Sequence, residues 1–150
     1  MKFKRVVEYH GYDRFVEIVY TLHKNTKIYL NRTLSQYNLT ALQALCMLIM
    51  DEQHDISQQE LADLLFLTKS AVTQVTKKLE DEEYITKTKS KTDGRQYVLN
   101  LTKKGKAIIP KLEIILKEWE ESIGIDKVDD EFIETMTEIA DSSINLNKNK

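Results

Sequence analysis

Cysteine, proline and glycine are scarce in this chain: one Cys, one Pro and four Gly in 150 residues. The lone Cys46 excludes an internal disulfide and fits a reducing cytoplasm. So few glycines and prolines argue for a mostly helical protein without elaborate loops. No apolar run approaches the roughly 20 residues that a membrane span needs. The first ten residues, MKFKRVVEYH, lack a long apolar core of the kind a secretory signal carries. The signatures of catalysis are missing too. There is no nucleophile elbow, phosphate-binding loop, cysteine pair or His-x-x-x-His, and His10, His23 and His54 lie far apart. The acidic run around His54 (Asp51, Glu52, Asp55) reads as a solvated connector rather than a metal site. The expectation is a protein that is not an enzyme and holds no cofactor and no metal.

What is present is a globular composition, 41% apolar and 31% charged, enough for one domain or for a reader with an attached helical part. The formal net charge is only −2, but its distribution is uneven. Between Thr68 and Lys106 ten basic side chains face five acidic ones, a local +5 that leaves −7 for the rest. A basic middle between acidic ends localises an anionic partner to the middle. The alternative is surface lysine with no partner.

Around that middle the apolar periodicity is helical. Phe15, Ile18, Val19 and Leu22 recur at i, i+3, i+4 and i+7, predicting an amphipathic helix over 12–34. Thr40 and Gln43 have capping-box spacing before TALQALCMLIM, which should be buried, Cys46 with it. Ser57 and Glu60 repeat the capping-box spacing and open a helix to about Leu65. Thr68 then caps a further helix to about Leu79, so two helices with defined starts meet across a short turn, the helix-turn-helix pattern. On the second of them Ser70, Thr73, Gln74 and Lys77 share one face, with Val72, Val75 and Leu79 opposite. Hydroxyl, amide and ammonium groups on such a face can read base edges and hold phosphates. Ser57 and Lys69, near the two helix starts, are placed to contact phosphates.

The period then changes. Tyr84–Ser90 and Gln96–Leu101 are rich in strand formers, and the second sets Tyr97, Leu99 and Leu101 on one face. Asp93-Gly94 between them signals a hairpin turn. Its tip and legs carry Lys87, Lys89, Lys91 and Arg95, a basic wing placed to hold flanking backbone or a narrow minor groove. The alternative is a solvated surface hairpin. A helix from Lys103 to about Ser122 follows, with Ile108, Ile109, Leu112, Ile115, Leu116 and Trp119 as its stripe and a kink expected at Pro110. A last helix, 130–144, carries Phe132, Ile133, Met136, Ile139 and Ala140, and 145–150 reads as a polar tail. A compact winged helix needs only 39–101, so the surplus stripes need a partner surface. Packing within one chain is the alternative.

The order of elements resembles the MarR family of winged helix-turn-helix regulators over nearly the whole chain. The resemblance rests on Leu39-Thr40-x-x-Gln43, Gln59-Glu60-Leu61-Ala62-x-x-Leu65, Lys69 to Thr73 with Leu79-Glu80, Asp93-Gly94-Arg95 and Leu101-Thr102-x-x-Gly105. Each motif alone is weak; five in this order are specific. There are departures: Phe66 and Glu83 stand where the family usually has glycine, and Gln74 where arginine is common. If φ is positive at Phe66, a bulky residue there is unfavourable. Gln74 suits adenine, whereas arginine favours guanine.

The resemblance implies a mainly α fold with a small β-hairpin wing. It implies dimerisation helices at 1–38 and 102–150 around a winged helix-turn-helix at 39–101. It further implies a homodimer on double-stranded DNA, a repressor of pseudo-palindromic promoter sites, and relief by a small-molecule effector. Tyr9, Tyr12 and His54 are candidates to line an effector pocket, although packing or surface roles are commoner, and no effector site is assigned. The rival reading is a non-enzymatic winged helix used only for protein–protein contact.

Overall fold

The computed structural model describes residues 13–148. Helix α1 (Asp13–Leu34) is followed by a 3-10 turn (Ser35–Tyr37) and α2 (Ala41–Glu52). Next come β1 (Ile56–Ser57), α3 (Gln58–Leu65), α4 (Lys69–Asp81), the hairpin β2 (Ile85–Lys89) and β3 (Tyr97–Leu101), α5 (Lys103–Ser122) and α6 (Asp130–Asn147). The chain divides into two compact units, Met1–Glu113 and Ile114–Lys150, with the division inside α5. No helix among the described residues is long and apolar enough to cross a membrane.

Caps explain where the helices of the first unit begin. Thr40 Oγ1 accepts the Gln43 N–H at 3.2 Å, while Gln43 Oε1 accepts the Thr40 N–H at 2.9 Å, a complete capping box. Ser57 Oγ accepts from the Glu60 N–H at 3.0 Å, and Thr68 Oγ1 from the Ala71 N–H at 3.1 Å. Asn31 Oδ1 accepts the Ala41 N–H at 2.7 Å, so α1 also supplies a partner to an N–H at the start of α2.

The core of this unit gathers Leu30, Leu34, Met47, Met50, Leu61, Val72, Leu79, Leu99 and Leu112, all nearly sealed from solvent. Two departures from the sequence reading appear in it. Helix α2 is not buried all round: Leu45 is 45% exposed, with Leu48 and Ile49 half-buried beside it. The inner face of α4 is Val72, Thr76 and Leu79, with Val75 only half-buried. Polar Thr76 is tolerated there because its hydroxyl bonds to the Val72 carbonyl at 2.9 Å and lies 2.8 Å from the Gln58 amide nitrogen.

The sheet has three strands in the order β1-β3-β2, all antiparallel, rather than a hairpin alone. Ile56 pairs with Leu99 and Ser57 with Val98, while Ile85 pairs with Leu101, Lys87 with Leu99 and Lys89 with Tyr97. Both Val98 and Leu99 are buried, whereas Tyr97 is 46% exposed, so the expected Tyr97-Leu99-Leu101 face is covered only toward the hairpin base. At the tip the Gln96 N–H donates to the Asp93 carbonyl at 3.1 Å. Gly94 does not take a positive φ, so the turn is not the two-residue type that Asp-Gly favours.

Helix α5 runs through Pro110 without interruption. Gly105 lies in its first turns because a Cβ there would sit 2.2 Å from the Tyr84 carbonyl oxygen. In the second unit α6 extends to Asn147, further than the polar tail suggests, because Asn and Ser side chains bond back to helix carbonyls, as with Asn147 Nδ2 to the Ser143 carbonyl at 3.3 Å. It buries no residue, and Phe132 (45% exposed), Ile133 and Ile139 stand open along it.

Candidate nucleic-acid interface

Helix α4 sets its polar face by what it buries. Val72, Thr76 and Leu79 turn inward, so at about 100° per residue Ser70, Thr73, Gln74 and Lys77 fall within an arc of about 100° on the far side. All four are exposed, as is Lys69 in the first turn. Thr73 Oγ1 donates to the Lys69 carbonyl at 2.9 Å. Gln74 makes no hydrogen bond to any described residue. Lys78 is exposed next to this arc; sequence reasoning passed over it, although its position one residue beyond Lys77 was the available signal.

The wing follows directly, and α4 packs against β2. Lys87, Lys89, Lys91 and Arg95 are all exposed along its leg and tip. Asp93 Oδ1 accepts the Arg95 backbone N–H at 3.0 Å, and Ser90 Oγ accepts from the Thr92 and Asp93 N–H groups. These side chain–backbone bonds shape the tip where tight hairpin geometry is absent. Lys87 Nζ stands 5.0 Å from the centre of the Tyr97 ring, so an exposed aromatic sits among the wing's charges. That pairing needs the strand register and was not read from the sequence.

Ser57 corrects an expectation. It is only 9% exposed, lies in β1 opposite Val98, and its hydroxyl caps α3. Its hydroxyl therefore serves as the α3 cap, unlike the exposed candidates on α4 and the wing.

The two departures from the family's glycines both fall in left-handed backbone. Phe66 has φ 56° and ψ 39°, and Glu83 has φ 61°. The turn between α3 and α4 therefore keeps glycine-type geometry with a phenylalanine in it. Its Phe66 and Leu67 N–H groups both reach the Ala62 carbonyl, and the phenyl ring is left 72% exposed.

No group of three or more His, Cys, Asp or Glu that could hold a metal occurs among the described residues. Cys46 is buried in α2, and burial pushes its thiol up to about 12. An open cleft of about 520 Å³ is lined by Leu45, Leu48, Ile49, Leu64, Leu65 and Glu113 among others. His54 is exposed and does not line it, and Tyr9 and Tyr12 lie outside the described residues.

The sequence profile of the MarR family matches residues 39–97, the span from the start of α2 to the wing. The HTH-type transcriptional regulator BilQ of Clostridioides difficile is 25% identical over 123 residues, covering 82% of this chain and 83% of the relative. Residues 39–97 carry a MarR-family domain. The structure of a MarR transcriptional regulator from Methanosarcina mazei Go1 is similar with a TM-score of 0.82 at 23% identity, covering 89% of this chain and 99% of that one. The S. aureus MepR–DNA complex matches with a TM-score of 0.73 at 19% identity, covering 92% and 98%. The fold is thus the winged helix of MarR-family transcriptional regulators, mainly helical with a small antiparallel sheet. Within that frame α3 and α4 are the helix-turn-helix and β2–β3 the wing.

Proposed function

We propose that this MarR-family regulator is a cytoplasmic, non-enzymatic repressor that binds pseudo-palindromic promoter DNA as a homodimer. The observation that carries the reading is one run of exposed groups: Lys69, Ser70, Thr73, Gln74 and Lys77 on α4, then Lys87, Lys89, Lys91 and Arg95 on the wing. The α4 residues enter a major groove and the wing cations hold the flanking backbone or minor groove. The MepR relative whose complex with DNA is known shares this fold. The terminal helices, 1–38 and 102–150, form the dimer. Supporting this, Val16, Val19, Tyr20 and Ile28 on α1, and Phe132, Ile133 and Ile139 on α6, are open in the single chain. A two-fold axis then sets two copies of α4 in successive grooves, about 34–36 Å apart. Relief by a small ligand belongs to the proposal without an assigned site.

Two measurements test it. Sedimentation equilibrium should give twice the chain mass. Selection from a random duplex pool should enrich two inverted half-sites with centres about 10 base pairs apart. A monomer, or a pool without a repeated half-site, would overturn it.

A further inference from the structure

We propose that α4 reads an adenine beside a thymine in each half-site, Gln74 pairing with the adenine edge and Thr73 laying its methyl against the thymine methyl. The inference rests on the DNA-binding reading above and names the bases it takes.

The direction of α4 is fixed from within. Thr76 is sealed on the inner face and tied to Gln58, and Thr68 caps the first turn, so the arc from Ser70 to Lys77 is held outward. Gln74 lies within that arc, exposed, with its amide uncommitted to any described residue. Its Oε1 can accept from adenine N6–H while its Nε2 donates to N7, the two-bond match that glutamine makes with adenine in the major groove. Thr73 is restricted by its neighbour. Its hydroxyl proton goes to the Lys69 carbonyl, so toward solvent it offers a methyl group and a lone pair but no donor. A methyl is complementary to the C5-methyl of thymine. The exposed arc holds no arginine, so the planar guanidinium fork that matches guanine O6 and N7 is absent from it and Lys77 is its one cationic donor to guanine; Arg95 stands on the wing. Lys69, Lys77 and Lys78 border the two residues with positive charge, complementary to a phosphate backbone.

The test selects duplexes from a random pool with the full chain and, in parallel, with Gln74→Arg and Gln74→Ala. Gln74 is exposed, and circular dichroism melts of the variants would check that they fold. The wild type should enrich an adenine at one half-site position, Gln74→Arg a guanine there with the remaining positions unchanged, and Gln74→Ala no preference there. In the wild-type winner, 7-deazaadenine at that position removes only the N7 acceptor. It should weaken wild-type binding roughly 5- to 10-fold, the scale of one of the two bonds, and leave Gln74→Ala indifferent. Uracil in place of the neighbouring thymine should weaken the wild type several-fold and Thr73→Ser less. The same base preferred by all three proteins, or no response to 7-deazaadenine, overturns the inference while the DNA-binding reading stands. A wild-type pool with no enriched site overturns both.

Discussion

The Gln58 side-chain amide nitrogen lies 2.8 Å from Thr76 Oγ1 and donates to it, joining the first residue of α3 to the buried face of α4. This bond sits behind the reading face, so it governs how α4 is presented rather than what it touches. Replacing Thr76 with valine keeps the shape but leaves the Gln58 amide without its partner. The expected loss is about 1–2 kcal/mol of stability, read from the midpoint of a urea titration at unchanged slope. An unchanged midpoint would mean that water replaces the bond at no cost.

The left-handed Phe66 makes a prediction of opposite sign. Its side chain is largely in solvent and its φ of 56° disfavours any Cβ. Phe66→Gly should therefore stabilise by about 0.5–1 kcal/mol, the relief of strain exceeding the added freedom of the unfolded chain. Glu83→Gly, at φ 61°, should do the same. Destabilisation by Phe66→Gly would show that the phenyl ring contributes packing that its exposure conceals.

Glycine to alanine inside a helix ordinarily stabilises by about 0.5–1 kcal/mol. At Gly105 the sign should reverse, because the new methyl would meet the Tyr84 carbonyl at 2.2 Å, and backbone cannot swing aside as a side-chain end can. A loss of about 1–3 kcal/mol is expected. The same carbonyl accepts the Thr102 N–H at 3.0 Å, so the damage should appear at the junction of wing and α5. Exchange of the Thr102 amide proton would report it.

Cys46 should be unreactive to thiol reagents in the native protein and react fully in urea, because burial raises its thiol from 9.0 to about 12. The folded state thus holds its proton more tightly than the unfolded one. This contribution is fully present below about pH 9 and is lost as pH rises toward 12, at up to about 1.4 kcal/mol per pH unit. A serine variant should lose less stability over that window, which chemical denaturation at pH 8 and 10 would reveal.

Much of this was legible in the sequence because the caps are local. Thr40, Ser57 and Thr68 each bond to an N–H three residues on, so side chain and helix start are read together. The polar arc of α4 was legible for a similar reason, since periodicity alone separates Gln74 from Val72. What escaped depends on distant partners. Ile56–Ser57 is too short to show a period of two and becomes a strand only because β3 lies beside it. Ser57 looked available until its pairing with Val98 covered it. The place of Thr76 on the inner face depends on Gln58, 18 positions away.

The proposed function stands on exposed cations of α4 and the wing binding duplex DNA. Its most direct test is a fluorescence-anisotropy titration of a labelled random duplex between about 50 and 200 mM salt, with wild type and Arg95→Ala. The wild type should lose affinity steeply, with a log–log slope of about −0.9 for each phosphate neutralised. Arg95→Ala should bind the selected site more weakly by about 1–3 kcal/mol at fixed salt. No binding to the random duplex, or a dissociation constant independent of salt, would contradict the claim and favour a winged helix that contacts only protein.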